Sequence, residues 1–423
     1  LYNNYKFKYF VRREIIMLAA LMPLFNEKMI VKAYSVFSEK ENPFLNPDMA
    51  VAAKYDGVGR ISGLEVVGSM GTAVLNEEKQ VFVPVDNINI FADIVSQCTV
   101  PRNRVVLLMD NSITPDEDYV KRIKLLRGEG FRFAIRKLTV DMFEAYRPIL
   151  TECDYVLLDH KKIVISKAKI YFNKLYPDMK LIAVNVNSQD EYQTLSADGK
   201  YDLYEGEFFR MPVTSNEKEV NPLKINYIEL LNVVNAPDFD LTDAADVIGR
   251  DAGLVISLLE IVNHIAINSE ITSVRHAAAM LGQKELKRWI NTAVTKELCA
   301  DKPSEITRMS MVRAKFAENL APVFNIAGFS SELFLTGLFS CVDIMLDKPM
   351  DEALKMLHVA KNINDALING KGELAPVLDF VRLYENADFI EVCRRMVVDD
   401  IDMDTVYNAY LNALSWYRDL FVK

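Results

Sequence analysis

Two cations stand at the end of an apolar run. In Phe131-Arg132-Phe133-Ala134-Ile135-Arg136-Lys137 a buried-strand pattern leads straight into Arg136 and Lys137. Proteins that alternate strands and helices place their chemistry at such strand ends. Three uses fit the pair: solvated strand-end charges, an internal ion pair with Asp159 or Glu205, or an anion site. Neighbouring strand residues face opposite ways, so only one of the two is expected to enter a pocket. The same alternation separates Asp159 from His160, which would otherwise read as an acid–base pair.

Other candidate chemistry is sparse. His264, His276 and His358 fall in helical patterns without the spacing of metal ligands, and no His-Asp dipeptide occurs. The five cysteines, Cys98, Cys153, Cys299, Cys341 and Cys393, are scattered and form no C-x-x-C. That supports neither a disulfide framework nor a zinc site, and a reducing cytoplasm is the simplest expectation. Gly57, Gly59 and Gly63 follow no clear strand and lack the lysine-serine ending of a phosphate loop, so they read as a turn. A net charge of −10 argues against wholesale nucleic-acid binding.

The elements that must position these groups change character once. With 423 residues, half of them apolar, the chain has room for about two domains and their cores. Up to residue 212, apolar runs alternate with amphipathic segments. The runs are VFVPV (81–85), VVLLM (105–109), FRFAI (131–135), YVLLD (155–159), LIAVNV (181–186) and LYEGEFF (203–209). Between them, Asp118 to Arg127 sets Tyr119, Ile123 and Leu126 on one helical face. Continuous apolar strands alternating with helices predict a parallel sheet covered by helices, closed as a (β/α) barrel.

The first residues need separate treatment. Lys6, Lys8, Arg12 and Arg13 precede IIMLAALMPLF, a run too short to cross a bilayer, which takes about 20 apolar residues. We expect residues 1–16 to lie outside the fold. A hairpin should follow: a strand ending near Phe25, a turn at Asn26-Glu27-Lys28 and a strand from Ile30 to Phe37. No membrane association is expected.

Residues 213–221 are polar and read as a linker. From 222 to 423 the strands vanish. One helix should bury Val255, Leu258, Leu259 and Val262, and Leu281 should be buried on the next. That next helix is expected to start at a Ser273 cap and stop at Gly282.

Here the residues carry a resemblance. PDFDLTDAADVIGRDAGLVISLLEIVN followed by ITSVRHAAAMLGQKELKRWI resembles an HDOD domain, and GLFSCVDIMLDKPM (337–350) resembles its later helix. LMPLFNEKMIVKAYSVF and YEGEFFRMP (204–212) resemble the start and end of an EAL domain, in the right order and at about the right spacing. The resemblance implies an EAL-type barrel over 17–212 and a helical HDOD domain over 222–423.

EAL enzymes hydrolyse cyclic-di-GMP by metal-assisted attack of water, with carboxylates at strand ends holding the cations. Placed on that pattern, the signature glutamate falls on Ser35 and its partner arginine on Glu39. A ligand-holding glutamine falls on Met22 and an asparagine near Pro84. Two glutamates fall on Leu108 and Asn111, paired aspartates on Arg136 and Lys137, and a loop glutamate near Val184. Asp159 matches a family aspartate, but the lysine two residues earlier is Leu157. Gly206, Phe209 and Pro212 are kept, and Glu205 stands beside them. The expectation is a degenerate EAL pocket with no catalytic, cofactor or metal residues and no enzyme activity. The chain would then be a signal-transduction scaffold or adaptor that acts on partner proteins not named by the sequence, with a homodimer implied by the resemblance. The alternative is a cyclic-di-GMP sensor or residual phosphodiesterase.

Overall fold

The computed structural model describes residues 18–39, 42, 44, 61–70, 79–210, 222–265 and 271–421. Residues 1–16, the segment 213–221, Gly57, Gly59 and Pro212 lie outside these. The chain divides into two compact units. One comprises the residues up to Phe208 with Asn319–Ala327 and Asp379–Lys423. The other comprises Phe209–Glu318 and Gly328–Leu378.

The first unit is built on a closed eight-stranded barrel in the order β1-β2-β3-β4-β5-β6-β7-β8. The strands are β1 (Leu18–Phe25), β2 (Val31–Glu39), β3 (Gln80–Pro84), β4 (Val105–Met109), β5 (Arg132–Ile135), β6 (Tyr155–Asp159), β7 (Lys180–Val184) and β8 (Leu203–Glu205). β1 runs antiparallel to both neighbours, whereas β2 through β8 are parallel. The expected hairpin is present. Its turn is set by Asn26, whose side-chain oxygen accepts from the N–H groups of Lys28 at 3.0 Å and Ile30 at 2.9 Å. This is the local side-chain-to-backbone bonding that makes asparagine a turn residue.

The lumen is a packed core. Leu24, Ala33, Phe82, Val106, Leu108, Ala134, Tyr155, Leu157, Ile182 and Leu203 fill it, with Val184 packed against them. Because side chains alternate, these residues fix which face every other strand residue presents. Around the barrel run helices such as Glu117–Gly128, which buries Ile123 and Leu126 as its spacing predicts.

Three local expectations need correction. The run 203–209 is a strand only to Glu205; Phe208–Arg210 is a 3-10 turn. Gly206 causes the break: it has φ +154, and a Cβ there would stand 2.0 Å from the carbonyl oxygen of Val186. Gly63 belongs to the helix Ser62–Met70 and not to a turn. A Cβ on it would meet Val83 Cγ1 at 2.5 Å, so glycine lets this helix lie close on β3. LIAVNV ends as a strand at Val184, because Asn185 takes a left-handed φ of 63°.

Residues 379–421 fold with the barrel. Tyr384 is fully buried, and its hydroxyl accepts the backbone N–H of Ala19 at 3.0 Å. The side chain of Asn42 donates to the carbonyl of Cys393 at 2.9 Å. The helix Met403–Phe421 also contacts β1.

The second unit is helical. Helix Ala252–Ile265 buries Leu254, Leu258 and Val262, an i, i+4, i+8 stripe. Val255, Leu259 and Leu281, expected in the core, are half-buried at its border. Ser273 holds the N-cap position of the next helix, but its hydroxyl makes no cap bond. Gly282 interrupts that helix with φ 75 and ψ 168, as a stop residue should. Gly337 packs against Ala314; a Cβ there would lie 2.6 Å from the Ala314 Cα, so the two helices meet backbone to backbone.

Candidate functional site

The carboxyl ends of β2 to β8 form the barrel mouth. Residue parity brings most of the sequence-selected positions to its inner face. Ser35 lies two residues beyond luminal Ala33, Pro84 beyond Phe82, Arg136 beyond Ala134, Asp159 beyond Leu157 and Glu205 beyond Leu203. Met22 pairs with Ser35 across the β1–β2 ladder. Leu108 is luminal and buried. Asn111 is not part of the group: it is exposed in the turn after β4, where its carbonyl accepts the Tyr146 hydroxyl at 3.1 Å.

Arg136 and Lys137 part company at the end of β5. Arg136 turns into the mouth, and its guanidinium carbon lies 6.0 Å from the centre of the Phe37 ring. Phe37 is on β2, three strands away round the ring, so this contact crosses the lumen. Lys137 adopts φ 62 and is exposed; its Nζ reaches Asp110 Oδ2 at 2.9 Å. Asp110 follows β4 and was not among the anticipated partners. Burial works to raise the Asp110 carboxyl, but hydrogen bonds from Ser112 and Lys137 outweigh it and hold it below the usual carboxylate range.

Glu205 is the buried acid of the mouth, 8% exposed. The Ser35 hydroxyl donates to its Oε2 at 3.4 Å. Burial pushes its carboxyl pKa up, with Arg136 and Ser35 acting in the opposite sense. The field of Arg136 therefore reaches Glu205, although no ion pair joins them.

Asp159 engages neither cation of the β5 end. It accepts from Asn185 Nδ2 at 3.1 Å and pairs with Lys162 Nζ at 3.3 Å. His160 points elsewhere, with Nε2 3.1 Å from the Asn185 carbonyl and 3.8 Å from Glu191 Oε2. The backbone N–H of Asn187 lowers the Glu191 carboxyl, helped by Lys161. Asn185 and Glu191, which organise this corner, carried no sequence signal beyond their polarity. Among the described residues no group of three or more His, Cys, Asp or Glu is disposed to hold a metal ion.

The fold is thus a closed barrel followed by a helical region, and residues 221–366 match the family model of the HDOD domain. The chain carries an HDOD domain, as the sequence resemblance implied. It is similar to the cyclic di-GMP phosphodiesterase CdgJ of Vibrio cholerae serotype O1, 24% identical over 76% of this chain and 75% of that protein. It is also similar to the uncharacterized protein YuxH of Bacillus subtilis (strain 168), 25% identical over 95% of this chain and 98% of that protein. Among solved structures, the manganese and cyclic-di-GMP complex of Klebsiella pneumoniae BlrP1 matches 46% of this chain and 55% of its own, at 14% identity and a TM-score of 0.37. The first similarity corrects one expectation. A chain read as having no enzyme activity has a relative named as a phosphodiesterase along three quarters of its length. Among the described residues no helix is long and apolar enough to cross a membrane.

Proposed function

We propose that this protein works in signal transduction as an adaptor, binding partner proteins through its barrel unit and its HDOD domain. The observation that supports this reading most is the pairing of an HDOD domain with a barrel whose mouth is lined by Met22, Leu108, Arg136 and Glu205. Such a lining suits recognition of a partner or small ligand. Affinity purification of the tagged chain from its native cells tests the reading. A signalling protein recovered in stoichiometric amount, and bound again by the purified chain, supports it. Absence of any such partner across growth conditions counts against it.

A second reading is favoured by the name of the Vibrio relative. In it the barrel binds or turns over cyclic-di-GMP. Titration calorimetry with that dinucleotide, followed by chromatography of the reaction mixture with Mg²⁺ or Mn²⁺, decides it. Saturable heat without product indicates a sensor. Linear dinucleotide appearing in proportion to enzyme indicates a phosphodiesterase.

A further inference from the structure

We propose that copies of this chain dock head to tail, the outer face of helix Ile165–Leu175 on one copy receiving the outer end of helix Phe389–Val398 on the next. Among the described residues the three most exposed large apolar side chains are Ile170 at 71%, Ile390 at 70% and Val398 at 69%. All three belong to the first unit. Each stands on the outer side of a helix whose inner side is packed. Ile165–Leu175 buries Ala168 and Phe172, and Phe389–Val398 buries Phe389, Val392, Cys393 and Met396. A single exposed apolar side chain is ordinary on a protein surface. Here the charges flanking the exposed groups match across the two faces.

Charge selects the occupant. Ile170 shares its helix face with Lys167 and Lys174, and neither lysine is in an ion pair among the described residues. Val398 leads into Asp399 and Asp400, which are exposed and likewise outside any ion pair. Both carboxylates stand at the carboxyl end of their helix, where the backbone already presents negative charge and an outside cation is favoured. The nearby Arg394 and Arg395 are both held by Glu391. One face is thus apolar and basic, the other apolar and acidic, so each fits the other and not itself. Copies of a chain with a net charge of −10 repel in general, and a contact between them needs such matching. A crossover helix lies over the parallel strands it joins, which places Ile165–Leu175 over β6 and β7. Helix Phe389–Val398 is tied through Cys393 to Asn42, beyond β2, and the helix after it contacts β1. The two faces therefore occupy different sides of the barrel. One molecule cannot bring its own pair together, and every contact between copies leaves one face of each kind free. Such contacts build a chain or a ring. This inference does not rest on the adaptor reading.

The test is sedimentation velocity of the full chain at rising concentration. At low salt the mass should grow past two copies, and at high salt it should fall back. I170D and V398D should each weaken association about tenfold or more. Near-UV circular dichroism checks that both variants fold. Mixed in equal amounts they should form a dimer that grows no further, since V398D keeps only the basic face and I170D only the acidic one. K167Q/K174Q should make association at low salt resemble that of the unaltered chain at high salt. A monomer at every concentration, assembly that stops at two copies, assembly unchanged in folded I170D or V398D, or no dimer in the mixture would overturn the proposal.

Discussion

The hydroxyl of Tyr384 accepts the backbone N–H of Ala19 across 365 positions of sequence. β1 pairs with β8 only at Leu24 and Phe25, so the earlier residues of β1 need other partners on that side. Tyr384 supplies one. An unpaired N–H buried there would cost about 1–3 kcal/mol. Tyr384→Phe keeps the ring and removes the acceptor. It should lower unfolding stability by about that amount in urea titration. An unchanged midpoint would mean that Ala19 finds another acceptor.

Glu205 gives a pH prediction with a definite sign. Its folded pKa is raised, chiefly by burial, above an unfolded value of about 4.3. The folded state therefore binds this proton more tightly than the unfolded state. The stability it contributes is present below the unfolded pKa and lost as pH rises through the folded one. Glu205→Gln removes the titration. In thermal melts from pH 4 to pH 8, the variant should gain on the unaltered protein as pH rises. A constant gap would show that Glu205 ionises as freely when folded.

Leu258 and Leu259 should respond differently to truncation. Leu258 is fully buried, and Leu258→Ala should cost about 2–5 kcal/mol. Leu259 is half-buried at the border of the stripe, and its truncation should cost clearly less. Equal losses in chemical denaturation would contradict the observed helix rotation.

Gly206→Ala should destabilise the barrel by more than about 1 kcal/mol, since both φ and space at this position favour glycine. The methyl would press on the Val186 carbonyl, which also accepts the Phe208 N–H at 3.2 Å. A variant as stable as the original would show that the turn can open without cost.

Much of this architecture was legible in the residues. Apolar runs located the strands, Asn26 marked the hairpin and Gly282 marked the helix break, because each has a local physical cause. Parity also foretold that one of Arg136 and Lys137 would face inward. The partner of Lys137 was not legible. Its left-handed φ directs the side chain back to Asp110 after β4, and a non-glycine residue gives little notice of that conformation. Nor could helical periodicity show that residues 379–421 pack with the barrel. Periodicity identifies an apolar face without naming what covers it. The residue types at the expected EAL positions suggested an inert chain, an expectation corrected by the similarity to a relative named as a phosphodiesterase.

The membership of Asp379–Lys423 in the first unit has a consequence during synthesis. A ribosome finishes all eight strands, then the entire second unit, before it delivers Tyr384 and the helix Met403–Phe421. Until then the backbone of Ala19 lacks its native acceptor. The nascent barrel must wait with part of one strand edge uncovered while an independent core forms downstream. Such an edge invites pairing with other chains. A chain arrested before residue 379 should therefore bind chaperones or aggregate more readily than the finished protein, even with every barrel strand already made.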